Sequence, residues 1–259
     1  MGVLNVTPDS FSDGGRWLKP DEAVDHGRRM VADGADIVDV GGESTRPGAR
    51  AVPEDEELRR VIPVIEALAG EVTVSIDTRQ AAVARAAVAA GASIINDVSA
   101  SLWPIAADTG AAWVAMHMPA DPVVMQYHAD YGDVAAEVRD YLVTRADKAR
   151  AAGVEQVWID PGIGFGKTAA HNLTLLRHLD MLVETGYPVL VGTSRKSFLG
   201  RLAAGPDATP APAEDRLEGS VATATWAIVK GADVVRVHDV RPVVQAARLH
   251  SEPDGRSGR

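Results

Sequence analysis

Val72-Thr73-Val74-Ser75-Ile76-Asp77-Thr78-Arg79-Gln80-Ala81-Ala82-Val83-Ala84-Arg85-Ala86-Ala87-Val88-Ala89-Ala90-Gly91-Ala92-Ser93-Ile94-Ile95-Asn96-Asp97 holds one full repeat of the pattern that decides the fold. An apolar run, the signature of a buried strand, stops at Asp77. An alanine-rich stretch of helical length, Thr78–Ala90, follows, and Gly91 ends it. A second apolar run, Ile94-Ile95, then stops at Asn96-Asp97.

The same grammar recurs along the chain. Gly2-Val3-Leu4 runs into Asn5, Ile37–Val40 into Gly41-Gly42-Glu43, Trp113–Met116 into His117, and Val157-Trp158-Ile159 into Asp160. Val189–Gly192 leads to Ser194-Arg195-Lys196, and Val234-Val235 leads to Arg236-Val237-His238. Helical stretches are expected over Asp21–Ala32, Glu54–Ala69, Val134–Ala152, His171–Glu184, Asp215–Val229 and Arg241–Leu249, with a short one in Ser99–Gly110 around Pro104. Strand then helix, eight times, implies parallel pairing through right-handed crossovers. A single (β/α)8 TIM barrel follows, with all eight strand ends on one face, and the 259 residues match its typical length of about 250. An open doubly wound sheet is the alternative; its frequent Gly-x-Gly-x-x-Gly turn is missing from the first unit. Residues 1–250 read as one barrel, Ala203–Ala213 as a surface loop, and 251–259 as a polar, disordered tail. Met1 stands almost inside the first strand, so either that strand is short or residues precede it.

With no cysteine, disulfides and thiolate metal sites are excluded. A formal net charge of −10 argues against non-specific nucleic-acid binding and makes the basic strand ends Arg195-Lys196 and Arg236/His238 stand out as a pocket for a small anion. No apolar run reaches the roughly 18 residues that span a membrane. The first residues lack the basic-then-apolar order of a signal peptide, so a cytoplasmic protein is expected.

Asp77, Asn96 and Asp160 end strands three, four and six. One such Asp could be a helix cap. Three together suit a flat, nitrogen-rich ring, because each Asp accepts from ring N–H and amino groups while Asn both donates and accepts. Asn5 and Asp13 are oxygen donors suited to Mg²⁺, on a polar loop of the kind that closes over barrel mouths. In Gly41–Gly48, glycines permit close backbone approach, Thr45 and Arg46 can donate to phosphate, and Pro47 stiffens the far side. Asp160-Pro161-Gly162-Ile163-Gly164-Phe165-Gly166-Lys167 is not a P-loop; its glycines let the backbone pass a ring and present Phe165. Lys196 is set near the pocket, and Arg236 and His238, alternate residues of one strand, form a donor pair for a pyrophosphate.

The set Asn5–Gly15, Gly41–Gly48, Ser75–Thr78, Ile95–Ser99, Asp160–Lys167 with His171-Asn172, Ser194–Phe198 and Arg236–Asp239 closely resembles dihydropteroate synthase. The match runs in order from residue 2 to about 249, and Asn-Val-Thr-Pro-Asp-Ser-Phe-Ser-Asp-Gly-Gly is highly specific by itself. The resemblance implies condensation of 6-hydroxymethyl-7,8-dihydropterin pyrophosphate with p-aminobenzoate, by a dissociative, Mg²⁺-assisted displacement in folate biosynthesis. It implies that Asp77, Asn96, Asp160 and Lys196 hold the pterin, and that Asn5 binds Mg²⁺. Asn5, Thr45, Arg46, Arg236 and His238 would surround the pyrophosphate; Phe11, Pro47, Phe165 and Ser197 would border the p-aminobenzoate site. Asp77, Asp160, Lys196, Arg46 and Asp13 are then the expected catalytic set, with Asp13 on a closing loop. The resemblance also implies inhibition by sulfonamides and a homodimer through the last helices, where Val221, Trp226, Ile228 and Val229 lie.

Two segments depart from the family pattern: Pro119-Ala120-Asp121-Pro122 replaces a glycine-containing turn, and Ala100-Ser101 replaces a Gly pair. A folate-dependent methyltransferase of the same fold has no use for the anion cluster or the Asn5–Gly15 loop. A non-catalytic paralogue would be expected to lose charged strand ends, and all are present.

Overall fold

A computed structural model of the chain describes residues 1–7, 20–43, 52–121, 124–125, 129–204 and 209–251. Every apolar run forms a strand, and the strands pair in chain order. β1 (Gly2–Asn5), β2 (Ile37–Gly41), β3 (Thr73–Asp77), β4 (Ile94–Asp97), β5 (Ala112–Met116) and β6 (Val157–Asp160) make a six-stranded parallel sheet. β7 (Leu190–Val191) and β8 (Val234–Val235) pair as a second, two-stranded parallel piece.

Both edges of the two pieces meet. Parallel bridges join Ile159 to Val189 and Gly2 to Val237. At these seams Ile159 N donates to Pro188 O, Val3 N to Val237 O, and Val237 N to Met1 O, each at 2.9 Å. The eight strands therefore close on themselves as a barrel, and the open-sheet alternative falls.

Helices α1 (Pro20–Ala32), α2 (Glu54–Leu68), α3 (Ala81–Ala89), α4 (Trp103–Thr109), α5 (Val134–Ala151), α6 (Ala169–Arg177), α7 (Asp180–Val183), α8 (Ser197–Ala204), α9 (Leu217–Val229) and α10 (Val240–Ser251) fall between and after the strands. Their apolar faces and the outward strand residues make the main core. A smaller core of Met1, Ile94, Ala112, Val114 and Leu190, backed by Ile37, Trp158 and Val234, is built from the inward positions of the strands. Alternation then carries Asp39, Asp77, Asn96, Asp160 and Arg236 to the same side, nearer the C-terminal ends. Register aligns Asn5 with Gly41, Gly41 with Asp77, and Asp77 with Asn96 in one row across four strands.

Several helix boundaries differ from expectation for local reasons. Thr78 continues the sheet, its N–H donating to Asn96 O at 3.2 Å, and its hydroxyl accepts from Gln80 N at 3.1 Å, so α3 starts only at Ala81. In the Ser99–Gly110 stretch the Asp97 carboxylate takes the N–H groups of Ser99, Ser101 and Leu102 at 2.6–2.9 Å, which delays α4 to Trp103. Expected as one helix, His171–Glu184 divides at His178, whose φ of −104° and ψ of 30° leave the helical range. Arg216, with φ −134°, separates the short turn Ala213–Asp215 from α9. The helix α8 was not expected, and it occupies the first residues of the Ala203–Ala213 loop. Of that loop, residues 205–208 lie outside the described set, as do residues 252–259 of the tail, and α10 itself runs through Ser251. At the Ala100-Ser101 departure from the family pattern, Ala100 is buried with φ +50°, the left-handed region where a glycine is free of strain. Of the Pro119–Pro122 departure, Pro119–Asp121 are described, and Pro122 is not.

Candidate active site

The inward residues at the upper end of the barrel form one bonded cluster. Arg236 Nε donates to Asp39 Oδ2 at 2.6 Å and its Nη2 donates to Asp77 Oδ2 at 2.7 Å. Asn96 Nδ2 donates to the same Asp39 oxygen at 3.0 Å. Gly41 leaves the space above Asp39 open, since a Cβ there would lie 3.5 Å from Asp77 Cβ and 3.8 Å from Asn5 Oδ1. Asp39 Oδ1 and Asp77 Oδ1 are buried acceptors that no donor among the described residues meets. Leaving such a group unmet costs about 1–3 kcal/mol, so the pair is poised for the N–H groups of a ligand.

Electrostatics follow from burial. Asp77 is pushed up to about 7 by its loss of water, against the pull of Arg236 and with the neighbouring Asp39 adding to the rise. Burial likewise raises Asp160, opposed chiefly by Lys196, and lowers Lys196 to about 8, opposed by Asp160. Burial pulls Arg236 down, but Asp39 and Asp77 outweigh it and hold the guanidinium more firmly charged than usual. Three carboxyl groups, Asp39, Asp77 and Asp160, thus share the space with two basic groups, Arg236 and Lys196, a set rich in acceptors that suits a donor-rich guest.

The remaining wall is built by the turns after β6 and β7. Asp160 Oδ1 accepts from Gly162 N at 2.7 Å, and Asn172 Oδ1 accepts from Gly164 N at 2.8 Å. Lys196 Nζ donates to Ile163 O and lies 4.6 Å from the centre of the Phe165 ring. Arg195, with φ +59°, is held by a two-pronged ion pair to Asp239 at 2.6 and 3.0 Å and by Ser220 Oγ on its N–H at 2.9 Å. This clamp aims the next residue, Lys196, inward and makes Arg195 structural. His238 bonds to Ser194 Oγ through its N–H at 3.1 Å and its Nδ1 at 3.0 Å. Ser197 is exposed at the first position of α8.

Asp77, Asn96, Asp160, Lys196 and Arg236 therefore meet in one place, with Phe165 on the Lys196 side. Arg236, expected beside an anion in partnership with His238, holds carboxylates through two of its nitrogens, Nε and Nη2. Phe11, Asp13, Thr45, Arg46 and Pro47 lie outside the described residues. Sequence reasoning missed Asp39, hidden between Val38 and Val40, although its even spacing from Gly41 marks it as inward. It also left Lys167 without a role. Asp97 and His117, strand-end residues given no direct role, serve the scaffold: Asp97 caps the turn before α4 and accepts from Trp113 Nε1 at 3.2 Å. His117 is buried, held near 3 by that burial and by Lys167, and therefore neutral.

Residues 1–238 match the family model described as pterin binding enzyme. Dihydropteroate synthase of Mycobacterium leprae is 51% identical, over 98% of this chain and 94% of its own length. The chain belongs to the dihydropteroate synthase family. The Escherichia coli K12 dihydropteroate synthase is 46% identical over 96% of this chain and 89% of its own. The dihydropteroate synthase of Xanthomonas albilineans, solved with 4-aminobenzoic acid, superposes with a TM-score of 0.88 at 48% identity, covering 96% of this chain and 90% of that one. The same enzyme with 7,8-dihydropteroate gives 0.85 at 45% identity, over 96% and 90%.

Proposed function

We propose that this chain is a dihydropteroate synthase, joining 6-hydroxymethyl-7,8-dihydropterin pyrophosphate to p-aminobenzoate with release of pyrophosphate. The observation that carries the reading, in a member of this family, is the ring of Asp39, Asp77, Asn96 and Asp160 with two buried acceptors awaiting donors. In the reaction the C–O bond to pyrophosphate breaks with its electron pair on the leaving oxygen. The amine lone pair then forms the new C–N bond, and the amine nitrogen loses a proton.

Asp77, Asn96, Asp160 and Lys196 are the proposed pterin residues. Their surplus of carboxylates would stabilise positive charge spreading from the methylene into the ring. Arg236 through Nη1, His238, Asn5, Thr45 and Arg46 are proposed around the pyrophosphate. Phe165 and Ser197, with Phe11 and Pro47, are proposed to border the amine, and Asp13 belongs to the proposed catalytic set. Excluding water from that slot protects the cationic carbon from hydrolysis.

Mg²⁺ fits the donor chemistry at the end of β1. Asn5 presents a carboxamide oxygen beside the open Gly41, and a cation that keeps water and phosphate ligands needs few protein oxygens. When bound, the ion would neutralise charge building on the leaving pyrophosphate. The described helices include none long and apolar enough to cross a membrane. A pyrophosphorylated substrate does not cross membranes unaided, which supports the cytoplasm as the compartment. Exposed Trp226 and Val229 on α9 support a homodimer.

Purified chain given Mg²⁺, the pterin pyrophosphate and p-aminobenzoate is expected to release pyrophosphate and form dihydropteroate. Lys196→Ala should be slower by roughly 100-fold. Turnover no greater than that control would sink the reading. Sulfonamides, as p-aminobenzoate mimics, are expected to compete.

A further inference from the structure

Lys167 is a buried cation outside the ligand-facing cluster, 5% exposed. Its Nζ donates to His117 O at 3.2 Å and to Gly162 O and Phe165 O, each at 3.0 Å, and lies 3.0 Å from His117 Nδ1. Two of those carbonyls belong to the glycine-rich turn after β6, and the third to the residue that follows β5.

The N–H side of that turn is held by Asp160 Oδ1 on Gly162 N, by Asn172 Oδ1 on Gly164 N and by its own Phe165 N on Gly162 O, whereas Lys167 gathers the carbonyls. Gly162, Gly164 and Gly166 all have positive φ, at +63°, +86° and +56°. A side chain at Gly162 would place its Cβ 1.9 Å from His117 O, so the turn is pressed against the end of β5 at the point where Lys167 joins them. Carbonyls turned inward on one ammonium repel each other without it. The same turn supplies both partners of Lys196, the Ile163 carbonyl and the Phe165 ring.

We propose that Lys167 is the positioning residue that sets the Phe165–Lys196 wall and thereby shapes the slot for the aromatic amine. The proposal rests on the p-aminobenzoate assignment given above. Lys167 touches neither substrate; it acts through Phe165 and Ile163. The His117 imidazole, 3.0 Å away through Nδ1, and the His117 carbonyl both tie Lys167 to the end of β5.

The test pairs kinetics with chemical labelling. In Lys167→Gln, KM for p-aminobenzoate should rise about tenfold, as expected for a lost contact worth about 1.4 kcal/mol, while KM for the pterin pyrophosphate stays within about twofold. In a Phe165→Ala background the same substitution should add less than about twofold, because the two residues act in series. Independent effects that simply multiply, or equal losses for both substrates, would overturn the proposal. If Lys167→Gln does not fold, His117→Leu removes one acceptor and enters the same cycle; a p-aminobenzoate KM that does not rise overturns the proposal. Acetylation of Lys196, followed by mass spectrometry, reads the wall without any turnover. Faster labelling in Lys167→Gln, or in His117→Leu, supports the proposal and unchanged labelling overturns it, whereas an inactive parent enzyme removes only the amine-slot assignment.

Discussion

At Arg236 one guanidinium answers two buried carboxylates, one from β2 and one from β3. Removing it strands both. Arg236→Leu is expected to destabilise the fold by about 3–5 kcal/mol, because uncompensated buried charge is left behind. A shift in urea midpoint worth less than about 1 kcal/mol would show that the pairs contribute little. Lys167 makes a different prediction. Burial lowers it to about 7 from an ordinary 10.5, so between those values the folded chain binds fewer protons than the unfolded chain, and stability rises with pH across that window. In Lys167→Gln the rise should be shallower, by up to roughly 1.4 kcal/mol per pH unit, in urea titrations at about pH 7 and about pH 9.5. Parallel slopes for the two proteins would contradict it. These two residues also mark where sequence stops being informative. Asp77, Asn96 and Asp160 can be read because each ends an apolar run. Arg236's partners lie 197 and 159 positions away, and nothing local announces them. Lys167 looks like a solvated charge at the end of a glycine-rich motif until the barrel brings His117 over it.

Among the elements, the turn from β4 to α4 depends on one carboxylate. Asp97 accepts from Ser101 N at 2.7 Å, Leu102 N at 2.6 Å and Trp113 Nε1 at 3.2 Å, the last from a fully buried ring. Asp97→Ala should cost about 2–4 kcal/mol in chemical denaturation, since several buried donors lose their acceptor, while KM for the pterin substrate holds. A large KM change with little loss of stability would reverse the assignment and make Asp97 a ligand residue. The strands and most helices were legible from period and glycine stops. Their starts were not, because side chains such as Thr78 and Asp97 intercept backbone donors that a periodicity argument hands to the helix. The helix α8 was hidden for another reason: its turn is made by Ser194 and Arg195, the latter at φ +59°, with no Gly or Pro before Ser197 to mark a start.

For the whole molecule, the seams are the thin places. β1 to β6 form a continuous ladder, whereas Ile159–Val189 and Gly2–Val237 are single bridges. Hydrogen exchange should therefore remove protection from the Ile159 and Val237 amides before those pairing β2 with β3. Uniform protection around the barrel would argue against a six-plus-two construction. On the outside, Trp226 is 46% exposed and Val229 54% exposed. If α9 mediates the proposed homodimer, Trp226→Glu should halve the sedimenting mass, and an unchanged mass would dismiss that surface.

The six-plus-two division also sorts charge. Asp39, Asp77 and Asp160 stand on the larger piece, and Lys196 and Arg236 follow the strands of the smaller one. Part of the attraction between the two pieces, the Arg236 pairs to Asp39 and Asp77, is thus drawn from groups proposed to grip the substrate. A variant that sheds one of these charges to evade an inhibitor weakens the architecture as it does so. Loss of ligand affinity at these positions is therefore expected to come with a lower urea midpoint, and changes that spare the fold are expected at residues that carry neither burden.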